Sequence, residues 1–250
     1  MSDSQSTLKT LSGLSDTLAR VVGLLVGLSG LAYFVGYRIE SHYLSQAGAS
    51  WVLGHLSTSE IIREGQVVIL AVGFTLFLSI INIFERNTSS EKLKQKDLIF
   101  SCISFALLGA AYLTSKYWDN YALDYGLSIL AGIIWAAAAG FTIGELIVCL
   151  NESKRNWNEY HLKLLFFAYI SAIASAPYFI GSNKANLDLE PKVSTLPVVT
   201  ITGEEAGKWH LMRTVGDNYL LVTLVEKPAA REFRLVPISP TVVISSTRIK

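Results

Sequence analysis

The sequence predicts an all-α membrane bundle of about five transmembrane helices, followed by a small C-terminal all-β domain. Of its 250 residues, 51% are hydrophobic and only 16% are charged, against about 25% charged in ordinary soluble domains. Several apolar stretches approach the roughly 20 residues that a helix needs to cross a bilayer. After Pro197 the hydrophobic pattern changes to short β-branched and aromatic runs, which are typical of strands.

The central helix is predicted from the stretch between Tyr125 and Leu150, which carries no charge before Glu145. Small residues recur in it at every fourth position, namely Gly132, Ala136, Gly140 and Gly144. This spacing places them on one helix face, where small side chains let a neighbouring backbone come close. We therefore expect this face to pack against other helices or against a second copy of the chain.

The remaining organisation follows from the apolar runs and their polar borders. We predict a lead-in over 1–16 and a bundle over 17–181, with helices at 20–39, 66–84, 98–115, 125–150 and 162–181. A linker over 182–197 and a β domain over 198–250 complete the chain. The first run is longer than the ~7–15 apolar residues of a signal peptide, so we interpret it as an uncleaved helix.

Two further helices contain small residues at four-residue spacing and are predicted to pack in the same way. They are Cys102, Ala106 and Ala110 in the third helix, and Ala168, Ala172 and Ala176 in the fifth. The segment from Arg38 to Gly65 is predicted to be the longest loop between helices, with a short amphipathic helix on the membrane surface.

The distribution of basic residues predicts a cytoplasmic N-terminus. Basic residues on the inner side would be Lys9, Arg20, Arg86, Lys92, Lys94, Lys96, Lys154, Arg155 and Lys163; the outer loops would hold Arg38, Arg63 and Lys116. This bias satisfies the positive-inside rule, and five helices would then place the C-terminal domain outside. Aromatic side chains expected to anchor the helices at the interfaces are Tyr37, Trp51, Trp118 and Trp157. We expect the protein to reside in a bacterial inner membrane.

The C-terminal domain is predicted to have five strands separated by turn sequences. They cover Val198–Thr202, Trp209–Val215, Tyr219–Glu226, Glu232–Ile238 and Thr241–Ser245. Five strands in so short a segment predict a strongly bent antiparallel barrel of SH3-like or OB-like size. A domain of this size is marginally stable alone, so we expect it to lean on the helices or on a copy of itself.

Glu145 is the most informative single residue, because an ionisable group at membrane depth is costly and is often functional. In one interpretation it pairs with a basic residue such as Arg155 or Lys163 near the cytoplasmic end. In the other it lines an ion or proton path. The sequence leaves both open.

Motifs for catalysis, metal binding and cofactor binding are missing from the sequence. It contains no phosphate-binding loop, no HExxH, no CxxC pair and no GxSxG, and the net charge of +1 gives no basic field for nucleic acid. We therefore predict no cofactor, no metal and no nucleic-acid partner. The favoured hypothesis is a non-enzymatic sensor or interaction protein in the lipid bilayer. Its β domain and first loop would recognise a partner or ligand, and its helices would self-associate into a homo-oligomer.

Two alternatives to the sensor hypothesis remain open. One is a channel-like or transport protein with Glu145 on the ion path. The other is a membrane effector or immunity protein of a microbial defence system, suggested only by the size and by the lack of housekeeping motifs.

Overall fold

The structure is a computed structural model. It describes residues 2–86, 89–152, 158–202, 208–225, 230–238 and 242–245; side chains in the first helix are described at residue 23 and from residue 26 onward. The described chain is mostly helical and ends in an antiparallel sheet.

The helical part contains six α-helices among the described residues. They are α1 (Ser2–Ala47), α2 (Thr58–Arg86), α3 (Ser90–Trp118), α4 (Tyr121–Glu152), α5 (Glu159–Tyr169) and α6 (Ala176–Leu189). A 3₁₀ turn, Ser50–His55, joins α1 to α2, and a π-helical turn, Ile170–Ser175, joins α5 to α6 without a break.

Four helical segments among the described residues are long and apolar enough to cross a membrane. They are Thr58–Phe84, Ser90–Trp118, Tyr121–Asn151 and the continuous run Glu159–Leu189. The third, in α4, is the most enclosed: 61% of its most apolar stretch is buried inside the protein, against 33% or less in the others. A fifth span in α1 stays a prediction.

Several helices extend beyond their predicted ends. Helix α1 continues through Arg38 to Ala47, and α2 begins at Thr58, so the long loop predicted from Arg38 to Gly65 is wrong. Helix α6 likewise extends to Leu189, and half of the predicted linker is helical. The apolar pattern stops earlier because these final turns carry charged side chains, of which Glu40, Lys184 and Asp188 pair with residues distant in the sequence.

The π-helical turn lies just before Pro177. Proline has no backbone N–H to donate to the preceding turn, and such irregularities within helices are commonly found at prolines. The backbone N–H of Ala176 bonds to the carbonyl of Ser171, five residues earlier. The helix thus crosses the proline by local widening instead of ending at residue 177.

The sheet contains β1 (Val198–Ile201), β2 (Trp209–Val215), β3 (Asn218–Val222), β4 (Phe233–Pro237) and β5 (Val242–Ser245). All pairs are antiparallel and the order is β4-β3-β2-β1-β5. Strands β4 and β5 are therefore the two edges, and the described strands form an open sheet. The predicted closed barrel is wrong, although the five strands lie close to their predicted positions.

The small residues of α4 contact other helices of the same chain. A Cβ atom added to Gly140 would overlap the Thr75 hydroxyl and the Val72 carbonyl oxygen of α2. One added to Gly144 would press on Ser79 of α2, and one added to Gly132 would meet α6 at Phe179. Ala136 is fully buried between them. This face of α4 is consequently occupied within one molecule and is not free for self-association.

The stripe predicted in α3 lies largely outside the contacts that α3 makes within one molecule, and its packing against a second copy stays a prediction. Cys102 and Ala106 are exposed and Ala110 is half-buried, whereas Ser101, Ser104 and Ala111 are buried. Position 104 is preferred because its hydroxyl donates to the Ala131 carbonyl of α4. In the last helical run, Ala168 and Ala176 are buried and Ala172 is half-buried.

We expect Gly140→Ala to destabilise the protein and Gly126→Ala to stabilise it slightly. Both substitutions favour helix by up to about 1 kcal/mol. At Gly140, however, the new methyl group meets α2, whereas no heavy atom lies within 4 Å at Gly126. Overpacking of this kind typically costs about 1–3 kcal/mol. Chemical unfolding of the two variants in detergent tests this, and equal shifts would contradict it.

Candidate functional site

A β-bulge in β2 places two consecutive residues, Met212 and Arg213, on the side of the sheet that faces the helices. Leu211 pairs with Leu221 and Arg213 pairs with Leu220, so that Met212 is an extra residue in the register. Such an insertion interrupts the alternation of side chains between the two faces of the sheet. Arg213 is paired with Leu220 and lies on the same face as that residue, whose side chain is buried against α1 and α6.

Arg213 forms a buried ion pair with Glu40 of α1. Its Nη1 donates to the Glu40 Oε2 at 2.6 Å, and the side chains are only 13% and 3% exposed. Arginine suits such a pair because its guanidinium is more weakly hydrated than an ammonium group. Arg213 Nε is also buried and lacks a hydrogen-bond partner among the described residues.

Burial is the main influence on the Glu40 carboxyl. It raises the Glu40 pKa, and the Arg213 guanidinium opposes that rise by attraction and hydrogen bonding. Taking two charges out of water costs several kcal/mol per ion, which a well-made pair only offsets. The pair therefore contributes little net stability, and its main effect is to fix one orientation of the sheet on α1.

Two more polar pairs extend the site across α1, α2 and α6. The Tyr43 hydroxyl donates to Asp188 at 2.9 Å, and the Lys184 ammonium pairs with Glu64 at 2.7 Å. Burial and then the Asp188 carboxylate raise the Tyr43 pKa well above its usual range, so the phenol stays a donor. We call these pairs, together with Glu40–Arg213, the latch cluster; they line a cavity of about 210 Å³.

A shared apolar core lies beside the latch cluster. Its buried members are Tyr43, Leu44, Ala47, Ala49, Val52, Ala185, Leu189, Met212, Val215, Leu220 and Val222. A fully buried leucine contributes about 1.5–3 kcal/mol relative to its exposed state. The sheet is therefore part of one packed unit with the ends of α1 and α6, and it leans on the helices as expected.

We expect Arg213→Leu to lower the stability of the protein by about 3–5 kcal/mol, because it leaves a buried carboxylate without its counter-charge. The double variant Glu40→Met/Arg213→Leu removes both charges and should recover most of this loss. The measurement is chemical unfolding followed by circular dichroism.

Lys163→Leu is the control for this experiment. Its partner is Glu159, and the two side chains are 67% and 82% exposed. We expect a change within about 0.5 kcal/mol for this surface pair. An Arg213→Leu variant as stable as this control would show that the buried pair does not hold the sheet.

Glu145 lies at the opposite end of the bundle from the latch cluster. It is only 2% exposed, and its Oε1 accepts a hydrogen bond from the Tyr160 hydroxyl at 2.5 Å. The predicted pairing with Lys163 is wrong, since that side chain pairs with Glu159. The other predicted partner, Arg155, lies outside the described residues.

Tyr160 was missed in the sequence because α5 begins earlier than its apolar run. Asn158 caps the helix: its side chain accepts from the His161 backbone N–H, and the Asn158 N–H donates to His161 Nδ1. This capping box fixes Glu159 as the first helical residue and brings Tyr160 onto α4. Asn158, a preferred N-cap residue type, is the sequence signal that could have marked this helix start.

A polar cavity of about 350 Å³ lies next to Glu145 and Tyr160, lined also by Ser90, Glu91, Lys94, Gln95 and Leu98. Asp97, which lies about one turn after Lys94 in α3, forms a side-chain hydrogen bond with Thr142 of α4. Its Oδ1 atom is buried and has no hydrogen-bond partner among the described residues. The cavity thus belongs to one end of the bundle.

Several hydroxyl groups deeper in the bundle bond to backbone carbonyls. Thr75 donates to Ala137 of α4 at 2.7 Å, and Ser79 donates to Thr75 within α2 at 2.8 Å. Between them α4 is closely packed by its small residues. Beyond Glu145, α2 and α4 are therefore in close contact.

Tyr160→Phe removes the donor to Glu145, and we expect a loss of about 1–3 kcal/mol because a buried acceptor becomes unsatisfied. Tyr117→Phe is the matched control, since Tyr117 is 68% exposed. Unfolding free energies of the two variants provide the comparison. Indistinguishable values would mean that water replaces the phenol at no cost.

The predicted interface anchors are exposed where they are described. Tyr37, Trp51 and Trp118 present 42%, 49% and 72% of their surfaces, and Trp157 lies outside the described residues. Trp51 sits in the 3₁₀ turn beside His55, with ring centroids 6.2 Å apart. Val52 of the same turn is fully buried under the sheet, so only part of this connection is free to meet a partner.

Among the described residues, no group of three or more His, Cys, Asp or Glu side chains could hold a metal ion.

These features define a class: a helical protein with four candidate membrane spans and a C-terminal antiparallel sheet latched to one end of its helices. Comparison with models of known protein families, with curated proteins and with solved structures finds no match to the chain.

Proposed function

We propose that this protein is a non-enzymatic sensor or interaction protein of a membrane, in which the C-terminal sheet meets a partner and passes the event to the helices. This proposal rests mainly on the buried Glu40–Arg213 pair, which joins β2 to α1. A sheet on a free linker would bind a partner without affecting the helices. Here, any shift of β2 must break the pair or move α1.

The open edge of the sheet is the proposed recognition surface. Among the described strands, β5 pairs with β1 on one side only, and it exposes Val243 and Ile244 at 60% and 39%. An exposed apolar edge strand is a template for an extended segment of another chain. The proposed partner is therefore a protein that adds a strand at β5.

Self-association belongs to the same proposal but needs a different face from the one predicted on α4. Helix α3 exposes Cys102 and Ala106, whose small side chains would permit close approach of a second copy. The proposed location is a bacterial inner membrane, with the N-terminus cytoplasmic and the sheet outside, as the basic residues favour.

The channel-like alternative is supported by Glu145 and its adjacent cavity. It predicts ion flux in proteoliposomes that is lost in Glu145→Gln. The close packing of α4 beyond Glu145 makes this the second candidate. A role as effector or immunity protein of a microbial defence system is compatible with the sensor proposal, because the partner would then be a component of that system.

Site-specific photocrosslinking tests the recognition surface. A photoreactive amino acid at Val243 should form adducts with a discrete partner in native membranes, whereas one at Thr214, exposed on β2, should not. Val243→Lys should reduce partner binding about ten-fold or more, since it places a charge in an apolar contact. Equal adducts at both positions would contradict the proposal.

Hydrogen exchange tests the coupling. Arg213→Leu should increase exchange in α1 between residues 36 and 47 as well as in β2, because both depend on the pair. An increase confined to the sheet would contradict transmission to the helices. Carbonate extraction and reporters fused to the C-terminus test membrane insertion and sidedness independently.

A further inference from the structure

A lateral groove lies between α5 and the α1–α2 pair, with α4 at its floor. Its volume is about 490 Å³, and its lining is almost entirely apolar. Val35 and Ala168 form its deep part and are buried, whereas Leu31 and Phe166 at the rim are 38% and 64% exposed. The groove is thus a concave feature that opens to the side of the bundle.

Two alanines create the space. Ala168 and Ala172 both line the groove, and they belong to the small-residue series of which Ala176, further along, is fully buried. At Ala176 the series packs into the core with Val35 and Ile180. At Ala168 and Ala172 only methyl groups project, so the space beside them stays open among the described side chains.

The length of the groove matches one leaflet of a bilayer. It extends along the helical run from Leu162 to Ile173, eleven residue steps that correspond to about 16 Å at about 1.5 Å each. The hydrocarbon core of a bilayer is about 30 Å thick, so one leaflet contributes about 15 Å. Leu162 lies near the Glu145 end of the bundle and Ile173 near its middle.

The size of the groove and its apolar lining limit which molecules can bind in it. Apolar cavities of this kind stay dry, because water finds no hydrogen-bond partners in them. A helix of the same length, about 10 Å across, would need far more volume than the groove offers. A volume of 490 Å³ lies within the roughly 300–1,000 Å³ of small-molecule sites.

We propose that the groove binds one acyl chain of a bilayer phospholipid, from the leaflet at the Glu145 end of the bundle. This inference rests on the membrane location given under the proposed function. The chain would lie along Ala168 and Ala172 and cover apolar surface that the helices leave unpaired.

Photolabelling in nanodiscs tests the site. The full chain is placed in phosphatidylcholine nanodiscs that contain a small fraction of phospholipid with a diazirine on its acyl chain, and labelled peptides are mapped. Labelling should concentrate on residues 162–173. It should fall about ten-fold in Ala168→Phe/Ala172→Phe, whose aromatic rings fill the groove.

Ala122→Phe/Gly126→Phe is the matched control, because these positions are exposed on α4 outside the groove; its labelling of residues 162–173 should equal that of the wild type. Ala172→Leu, a milder filling variant with the same expected direction, is measured alongside in case the double variant does not fold. Folding is checked by circular dichroism and elution volume.

Three results would overturn the proposal. Uniform labelling of all exposed helices, unchanged by filling the groove, would show ordinary lipid contact only. Labelling of residues 162–173 by a free diazirine fatty acid but not by the phospholipid would assign another occupant. Failure of the chain to enter nanodiscs would overturn the membrane location together with this site, whereas the first two results leave the location intact.

Discussion

Polar groups inside this protein are satisfied largely by other parts of the chain, and that constraint determines how its elements meet. A buried donor or acceptor without a partner costs about 1–3 kcal/mol, and a buried charge costs more. Thr75 meets a carbonyl of α4, Glu145 meets Tyr160 and Glu40 meets Arg213. Each contact joins elements that are distant in the sequence or separated by a turn. The hydrogen bonds that satisfy the buried polar groups therefore also hold the tertiary structure together.

Buried polar groups are paired in different ways at the two ends of the bundle. At one end a carboxylate and a phenol share a hydrogen bond beside a polar cavity. At the other, three polar pairs surround the contact between sheet and helices. In the middle, helices approach closely at small residues: Gly140 of α4 meets α2 so tightly that an added Cβ atom would overlap the Thr75 hydroxyl and the Val72 carbonyl oxygen. Polar pairs thus fix the orientation of the elements at the two ends, and close packing holds the helices together in the middle.

Hydropathy predicted the centres of the four apolar spans and the positions of the strands, because both depend on local patterns of apolar residues. It did not predict helix ends, since Glu40, Lys184 and Asp188 extend their helices through pairs made with distant residues. It did not predict which face of α3 meets α4, where the Ser104 hydroxyl donates to the Ala131 carbonyl while Cys102 is exposed. Barrel closure was wrong because strand count alone does not decide whether β4 meets β5.

The bulge in β2 has a consequence for how the latch is encoded. Met212 adds one residue to the register, so that Met212 and Arg213, although consecutive, both face the helices. One short segment of the strand thereby supplies an apolar contact and a charge to the same interface. A chain with one residue fewer at this point would still have its arginine opposite Leu220, but it would lose the apolar contact that Met212 makes beside it. In comparing related chains, the spacing between Leu211 and Arg213 would accordingly show whether both contacts are present.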